Sequence, residues 1–187
     1  MQEKGLLKAD ADWTYTMKRE AQEIVPGLFL GPYGAAKSLD FLQKNRITDI
    51  LIVRSTEEAG WINPKFPGQF EYHHCTCDDS QFANIIQYFP DVKNLIDSRL
   101  QAGKRLLIHG NAGMSRSVAL VIAYIMHTFS MTAEEAHHYV LQRRHCISLN
   151  DGFRSQVREY EVILKVKCFS SFSVKTVSGS CLVVLSK

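Results

Sequence analysis

The sequence predicts an α/β domain whose central, mostly parallel sheet is covered by helices on both faces. Three observations predict it. Short β-branched runs alternate with segments of helical period over the first half of the chain. A continuous apolar stretch, Val118 to Met126, follows a short apolar run and a glycine-containing loop. From there to about Val166 the pattern is helical throughout.

The elements follow in order. Leu28-Phe29-Leu30-Gly31 and the stretch Ile47 to Val53 are short and bounded by Pro26-Gly27, Gly31-Pro32 and Asn45, so both read as strands. Ala35 to Lys44 between them reads as a helix. Phe82, Ile85, Ile86, Phe89, Val92, Ile96 and Leu100 keep helical spacing, with Asp79-Ser80 as candidate caps and Gly103 as the stop. Arg105 to Ile108 reads as a buried parallel strand that feeds the loop and the apolar helix. Thr132 with Glu135 forms a capping box for the next helix, and Asn150 caps the last one, which carries Phe153, Val157 and Leu164.

With 187 residues and 45% apolar content, the chain can bury a sizeable core. The expected organisation is a short N-terminal extension over 1–20, one domain over 21–166, and a tail over 167–187 that holds serines 170, 171, 173, 178, 180 and 186. A net charge of +3 with dispersed lysines and arginines argues against nucleic-acid binding. Five cysteines, an odd number without framework spacing, point to a reducing intracellular compartment. No apolar run approaches the roughly 20 residues of a membrane span. A soluble monomer without a cofactor is expected.

The chemistry concentrates in His109-Gly110-Asn111-Ala112-Gly113-Met114-Ser115-Arg116-Ser117, where a buried strand enters a buried helix. Such a loop aims several backbone N–H groups at one point, and the positive end of the helix dipole reinforces them. Arg116 adds a planar fork that suits two phosphate oxygens. The expected phosphate-binding residues are therefore Gly110, Asn111, Ala112, Gly113, Met114, Ser115 and Arg116, with His109 and Ser117 in support. No Gly-Lys-Ser/Thr follows, so this is not a Walker-type nucleotide loop.

The loop resembles the signature of the protein tyrosine and dual-specificity phosphatases, which reads His-Cys, five residues with glycine in the middle, then Arg and Ser or Thr. His109, Gly113, Arg116 and Ser117 match it, and Gly110 stands where that family has its nucleophilic cysteine. Glu23 to Gly31 resembles the family's N-terminal strand motif, and Asp79 stands where the family places its general acid. Arg143 to Ile147, Asn150 to Phe153 and Glu159-Tyr160-Glu161 resemble its closing segment, with Leu149 in place of a usual proline. The chain is thus identified as a catalytically inactive member of the dual-specificity phosphatases. The resemblance implies a phosphatase-like fold, binding to phosphoproteins or acidic segments, and signalling roles in nucleus and cytoplasm. It also implies mitogen-activated protein kinases and F-box ubiquitin-ligase subunits as partners.

In the active family a thiolate attacks phosphorus, and glycine supplies no such group. No catalytic residue is expected, with Asp79 reading as a helix cap or a relic of the acid and no base evident for Ser115 or Ser117. Two other readings compete: an active phosphatase whose cysteine was replaced by engineering, and a scaffold with an unused pocket. His73, His74, Cys75 and Cys77 could suggest zinc, but a strand places both thiols on one face as ordinary core residues, so no metal is expected. His137 and His138 point in different directions on a helix and are expected exposed. Arg143 and Arg144 could read an acidic partner, but the expectation is a solvated helix end.

Overall fold

The computed structural model describes residues 14–170 together with 176–177 and 180–181. A five-stranded sheet runs in the order β1-β2-β5-β3-β4. These strands are β1 (Gln22–Val25), β2 (Leu28–Pro32), β3 (Asp49–Arg54), β4 (Glu71–Thr76) and β5 (Leu106–Gly110). Only the β1–β2 pair is antiparallel within it.

Alternation along the central strand divides two cores. Leu106 and Ile108 of β5 face the larger core, which contains α3 (Phe89–Gln101), α4 (Arg116–Phe129), α5 (Ala133–Leu141) and the start of α6 (Asp151–Ser170). Leu107 faces the smaller core beneath α1 (Tyr33–Ala36) and α2 (Leu39–Lys44). β5 is inserted between β2 and β3, which precede it in the chain, with α1 and α2 on one face of the sheet and α3 to α6 on the other. The crevice outside the carboxyl end of β5 is therefore the switch point at which open α/β sheets place ligands.

α4 is buried on every side, from Arg116 to Met126 without a break, so it is the middle layer between the sheet and α3, α5 and α6. Each of its large apolar side chains stabilises the fold by about 1.5–3 kcal/mol. Burial anchors the N-terminus of α4 at the end of β5. Thr132 and Glu135 form the expected capping box of α5, and Asn150 Oδ1 accepts from the Phe153 amide at 2.9 Å to start α6.

Two expected helices differ. The segment 35–44 is split, because Ser38 accepts the Phe41 amide at 3.3 Å and caps a second helix instead of continuing the first. The helix expected from Phe82 begins at Phe89, after one 3-10 turn over Ile86–Tyr88, and Phe82 is 87% exposed. Tertiary contacts override the apolar spacing. Gln156 of α6 accepts the amides of Ile85 and Ile86 and donates to the Ala83 carbonyl at 2.8 Å, which holds 83–86 open. Pro90, without an N–H, then fits the first turn. Asp79 and Ser80 consequently cap no helix.

α6 runs on to Ser170, across the expected boundary at 166/167. Beyond it, the described part of the serine-rich segment is the pair Thr176–Val177 and Ser180–Cys181. Trp13 and most of the expected extension lie outside the described residues, but Tyr15–Arg19 form a 3-10 turn that packs against β2.

Candidate functional site

Residues 110–117 curl around the N-terminus of α4 and, with Glu58 and Asp79, line a pocket of about 280 Å³. Gly113 makes the curl possible. Its φ is +64°, and a Cβ there would collide with the Gly31 carbonyl at the end of β2.

Every loop carbonyl from Gly110 to Met114 is held away from the pocket. His109 Nδ1 lies 3.2 Å from the Gly110 oxygen, and the Tyr33 amide donates to Asn111 at 3.0 Å. Arg144 donates from Nη2 to Ala112 at 3.1 Å and from Nε to Gly113 at 2.7 Å, while the Ser148 amide donates to Met114 at 2.7 Å. In a trans peptide the next N–H points opposite to the carbonyl. The amides of residues 111 to 115 are thereby turned the other way, and none donates to another group among the described residues. Such a nest, backed by the start of a 14-residue helix, suits a tetrahedral oxyanion.

Arg144 corrects the reading of 143–144 as a solvated helix end. Arg143 and Arg144 are 4% and 0% exposed, and Arg144 also donates to the carbonyls of Lys18 and Glu20 and to the Gln22 side chain. One buried guanidinium ties the N-terminal turn, β1 and the loop together using neutral acceptors, and burial lowers its pKa. A lone Arg-Arg at a helix end gives no sequence signal of this.

Arg116 is just as constrained. Glu58 takes it by both ends, Oε2 at 2.5 Å from Nη1 and Oε1 at 3.0 Å from Nη2, and the Cys77 carbonyl accepts from Nη1 at 3.1 Å. The Nε edge is left toward Asp79, with Oδ2 3.5 Å away. The Arg116 hydrogen bond, opposed by partial burial, holds the Glu58 carboxyl below its ordinary value. Burial disfavours the Arg116 charge, but Glu58 more than offsets it. Sequence reading missed Glu58, whose carboxylate comes from a 3-10 turn, Glu57–Gly60, 58 residues away in the chain.

Asp79 is a crosslink between three elements. Ser115 Oγ donates to its Oδ1 at 2.6 Å, and Asn150 Nδ2 approaches the same oxygen at 3.3 Å. Gly152 lets α6 approach, since a Cβ there would strike the Gln81 carbonyl. The carboxylate is also an acceptor for Ser115 that the sequence did not reveal.

His109 is fully buried, stacked on Tyr33 at 5.6 Å, and desolvation lowers its pKa to about 4. It is therefore neutral, with Nδ1 carrying the proton toward Gly110. Cys75 and Cys77 are buried together as expected, and burial raises their thiols to about 12 and about 11. His73 sits apart from them, 3.3 Å from buried Asp49, in a cluster that Arg99 bridges to Glu71. His137 is half-buried and His138 exposed.

The model of the dual-specificity phosphatase catalytic domain matches residues 28–163. This chain belongs to the dual-specificity phosphatase family. Within it, the chain is 51% identical over 163 residues to the serine/threonine/tyrosine-interacting protein of Homo sapiens, across 86% of this chain and 73% of that protein. The crystal structure of the human tyrosine phosphatase-like serine/threonine/tyrosine-interacting protein superposes with a TM-score of 0.75, covering 78% of this chain and 97% of that one. Dual specificity protein phosphatase 1B of Arabidopsis thaliana is 35% identical over 143 residues, 76% of this chain and 83% of that protein. The phosphatase-like fold expected from the sequence is the one observed.

Proposed function

We propose that this chain is a catalytically inactive phosphatase-like module that binds phosphorylated serine, threonine or tyrosine in proteins, or acidic segments that imitate it. In this role it regulates signalling by competing with active phosphatases or by anchoring a kinase. The observation that carries the reading is the run of loop carbonyls from Gly110 to Met114, each held by a donor outside the pocket lining, which turns the following amides the other way.

Inactivity follows from Gly110, because no thiolate faces the bound phosphorus. Cys77, whose carbonyl touches Arg116, cannot substitute, since its thiol stays protonated at neutral pH and does not line the pocket. Ser115 has Asp79 as acceptor, but a carboxylate is too weak a base to leave much alkoxide, and Asn150 and Arg116 share the same group.

The missing thiolate favours binding. Two unit charges about 4 Å apart repel by about 4 kcal/mol at an effective dielectric near 20, as an upper figure. A glycine loosens a loop by about 0.5–1 kcal/mol. Because the carbonyls on either side of this glycine are restrained, the electrostatic gain wins.

Relatives carry the name serine/threonine/tyrosine-interacting protein, which agrees with a binding role. Mitogen-activated protein kinases and F-box ubiquitin-ligase subunits are the proposed partners, met in cytoplasm and nucleus. Titration with a phosphopeptide and its unphosphorylated twin tests the core of the proposal, with the phosphopeptide expected to bind at least about tenfold more tightly. One observation favours a scaffold that leaves the pocket unused: Glu58 and Asp79 already compensate Arg116. Equal affinity for the two peptides would establish that second reading.

A further inference from the structure

The floor of the pocket carries a feature that the amide nest does not use. Ser117 is 1% exposed, its Oγ has no hydrogen-bond partner among the described residues, and it lines the pocket together with Gly110. A buried hydroxyl without a partner carries a desolvation cost unless something reaches it.

Gly110 defines what can reach it. Its φ is not left-handed, so nothing in the backbone demands glycine. A Cβ built on it would lie 3.5 Å from Ser117 Oγ and 3.5 Å from the Val53 carbonyl oxygen, which is ordinary contact. The structure therefore has room for a side chain at this position, bordered by one hydroxyl and one carbonyl. A methylene and a sulfur would fill it in a cysteine-bearing relative, and a water needs room for about one 1.4 Å sphere, about 10–15 Å³, and two to four polar partners.

We propose that Gly110 and Ser117 form a one-oxygen subsite beneath the phosphate cradle, in which a water molecule replaces the nucleophile's side chain and donates to the bound phosphate. The balance of donors and acceptors closes. The water accepts from Ser117 Oγ–H, and gives one hydrogen to the Val53 carbonyl and the other to a phosphate oxygen. A thiolate here would face the phosphate dianion with a negative charge, whereas the water faces it with a donor. Ser117 thus becomes a ligand-positioning residue, and Gly110 is selected for the space it leaves. The ligand class is a phosphate monoester dianion held partly through water. This inference rests on the phosphate-binding reading of the pocket.

The test uses the full chain, with phenyl phosphate as probe and Ser117→Ala, Gly110→Ala and the double variant measured by calorimetry. Ser117→Ala removes a hydroxyl that has no hydrogen-bond partner among the described residues, and Gly110→Ala adds a methyl that meets only ordinary contacts, so both should fold. Each single variant is expected to weaken binding about two- to tenfold, the range for one neutral hydrogen bond. Since both remove the same water, the double variant should bind no more weakly than the weaker single one. Unchanged affinity in Ser117→Ala, or losses that multiply in the double variant, overturns the subsite. A crystal structure of the wild-type chain separates this from failure of the underlying reading. If phenyl phosphate does not bind at all but an ordered oxygen lies within hydrogen-bond distance of Ser117 Oγ, the subsite stands and phosphate binding falls. A dry floor overturns the subsite whatever binds above it.

Discussion

Glu58 and Arg116, which both line the pocket, form a two-pronged ion pair at 2.5 and 3.0 Å, and the Arg116 side chain is only 6% exposed. The pair occupies Nη1 and Nη2 and leaves the Nε edge of the guanidinium to Asp79, whose Oδ2 lies 3.5 Å from Nε. A phosphate must take this edge from Asp79 but need not break the pair with Glu58.

Arg116→Ala is accordingly expected to cost about 1.5–3 kcal/mol of phosphopeptide binding, the range for hydrogen bonds to a charged group. Glu58→Ala is expected to destabilise the fold by about 2 kcal/mol in urea unfolding, below the figure for a fully buried pair because Glu58 keeps some solvent contact. The carboxyl is held below its ordinary value of 4.5, so this contribution is present above that pH and disappears as the pH falls below it. Wild-type stability at Glu58→Ala would show that the pair is not structural.

Arg144 is the second lever on the loop. Arg144→Met leaves the carbonyls of Ala112 and Gly113 without their donor and releases the N-terminal turn. Stability should fall by about 2–4 kcal/mol, within the range for breaking a buried polar network. At a temperature where both proteins are folded, phosphopeptide affinity should fall as well. Arg144→Met with reduced stability and intact affinity would mean that the loop holds its own shape.

Gly110→Cys should confer phosphatase activity toward an aryl phosphate, since a Cβ fits without displacement and the amides and Arg116 lower a thiol's pKa. Asp79 lines the same pocket, so adding Asp79→Asn should slow turnover by about 10² to 10⁴ if proton transfer limits the rate. An inactive Gly110→Cys that still binds phosphate would place the defect in Asp79, which Ser115 and Asn150 tether.

His109 predicts a pH dependence of stability. Burial keeps its pKa near 4 in the fold against an ordinary 6.5, so the unfolded chain takes up a proton first as the pH drops. Stability should be intact above about 6.5 and decline between about 6.5 and 4, by about 3 kcal/mol in all. His109→Gln should remove the slope in that interval; an unchanged slope would assign it to other groups.

The sequence carried much of this in local patterns. The strand, loop and apolar helix around Gly110 were readable because burial leaves a continuous apolar run and the loop has its own glycine and arginine spacing. The capping box at Thr132 and the cap at Asn150 were readable for the same reason, each lying within four residues of its partner. What escaped depends on partners distant in the chain. Glu58 meets Arg116 across 58 residues, Gln156 diverts 83–86 from helix across about 70, and Arg144 reaches Lys18 across 126. Asp79 stands at the position of the family's general acid, but its contacts with Ser115, Asn150 and Arg116 join segments 36 to 71 residues apart that no local pattern connects.

In the proposed binding mode the amides of Asn111 to Arg116 receive a phosphate. Amide nitrogen and proton chemical shifts of the labelled chain, followed during titration with a phosphopeptide, test it most directly. The largest downfield proton shifts are expected in residues 111 to 116, saturating together and lost in Arg116→Ala, with no comparable change from the unphosphorylated peptide. Binding of the phosphopeptide that leaves these amides unmoved and shifts residues elsewhere would contradict it.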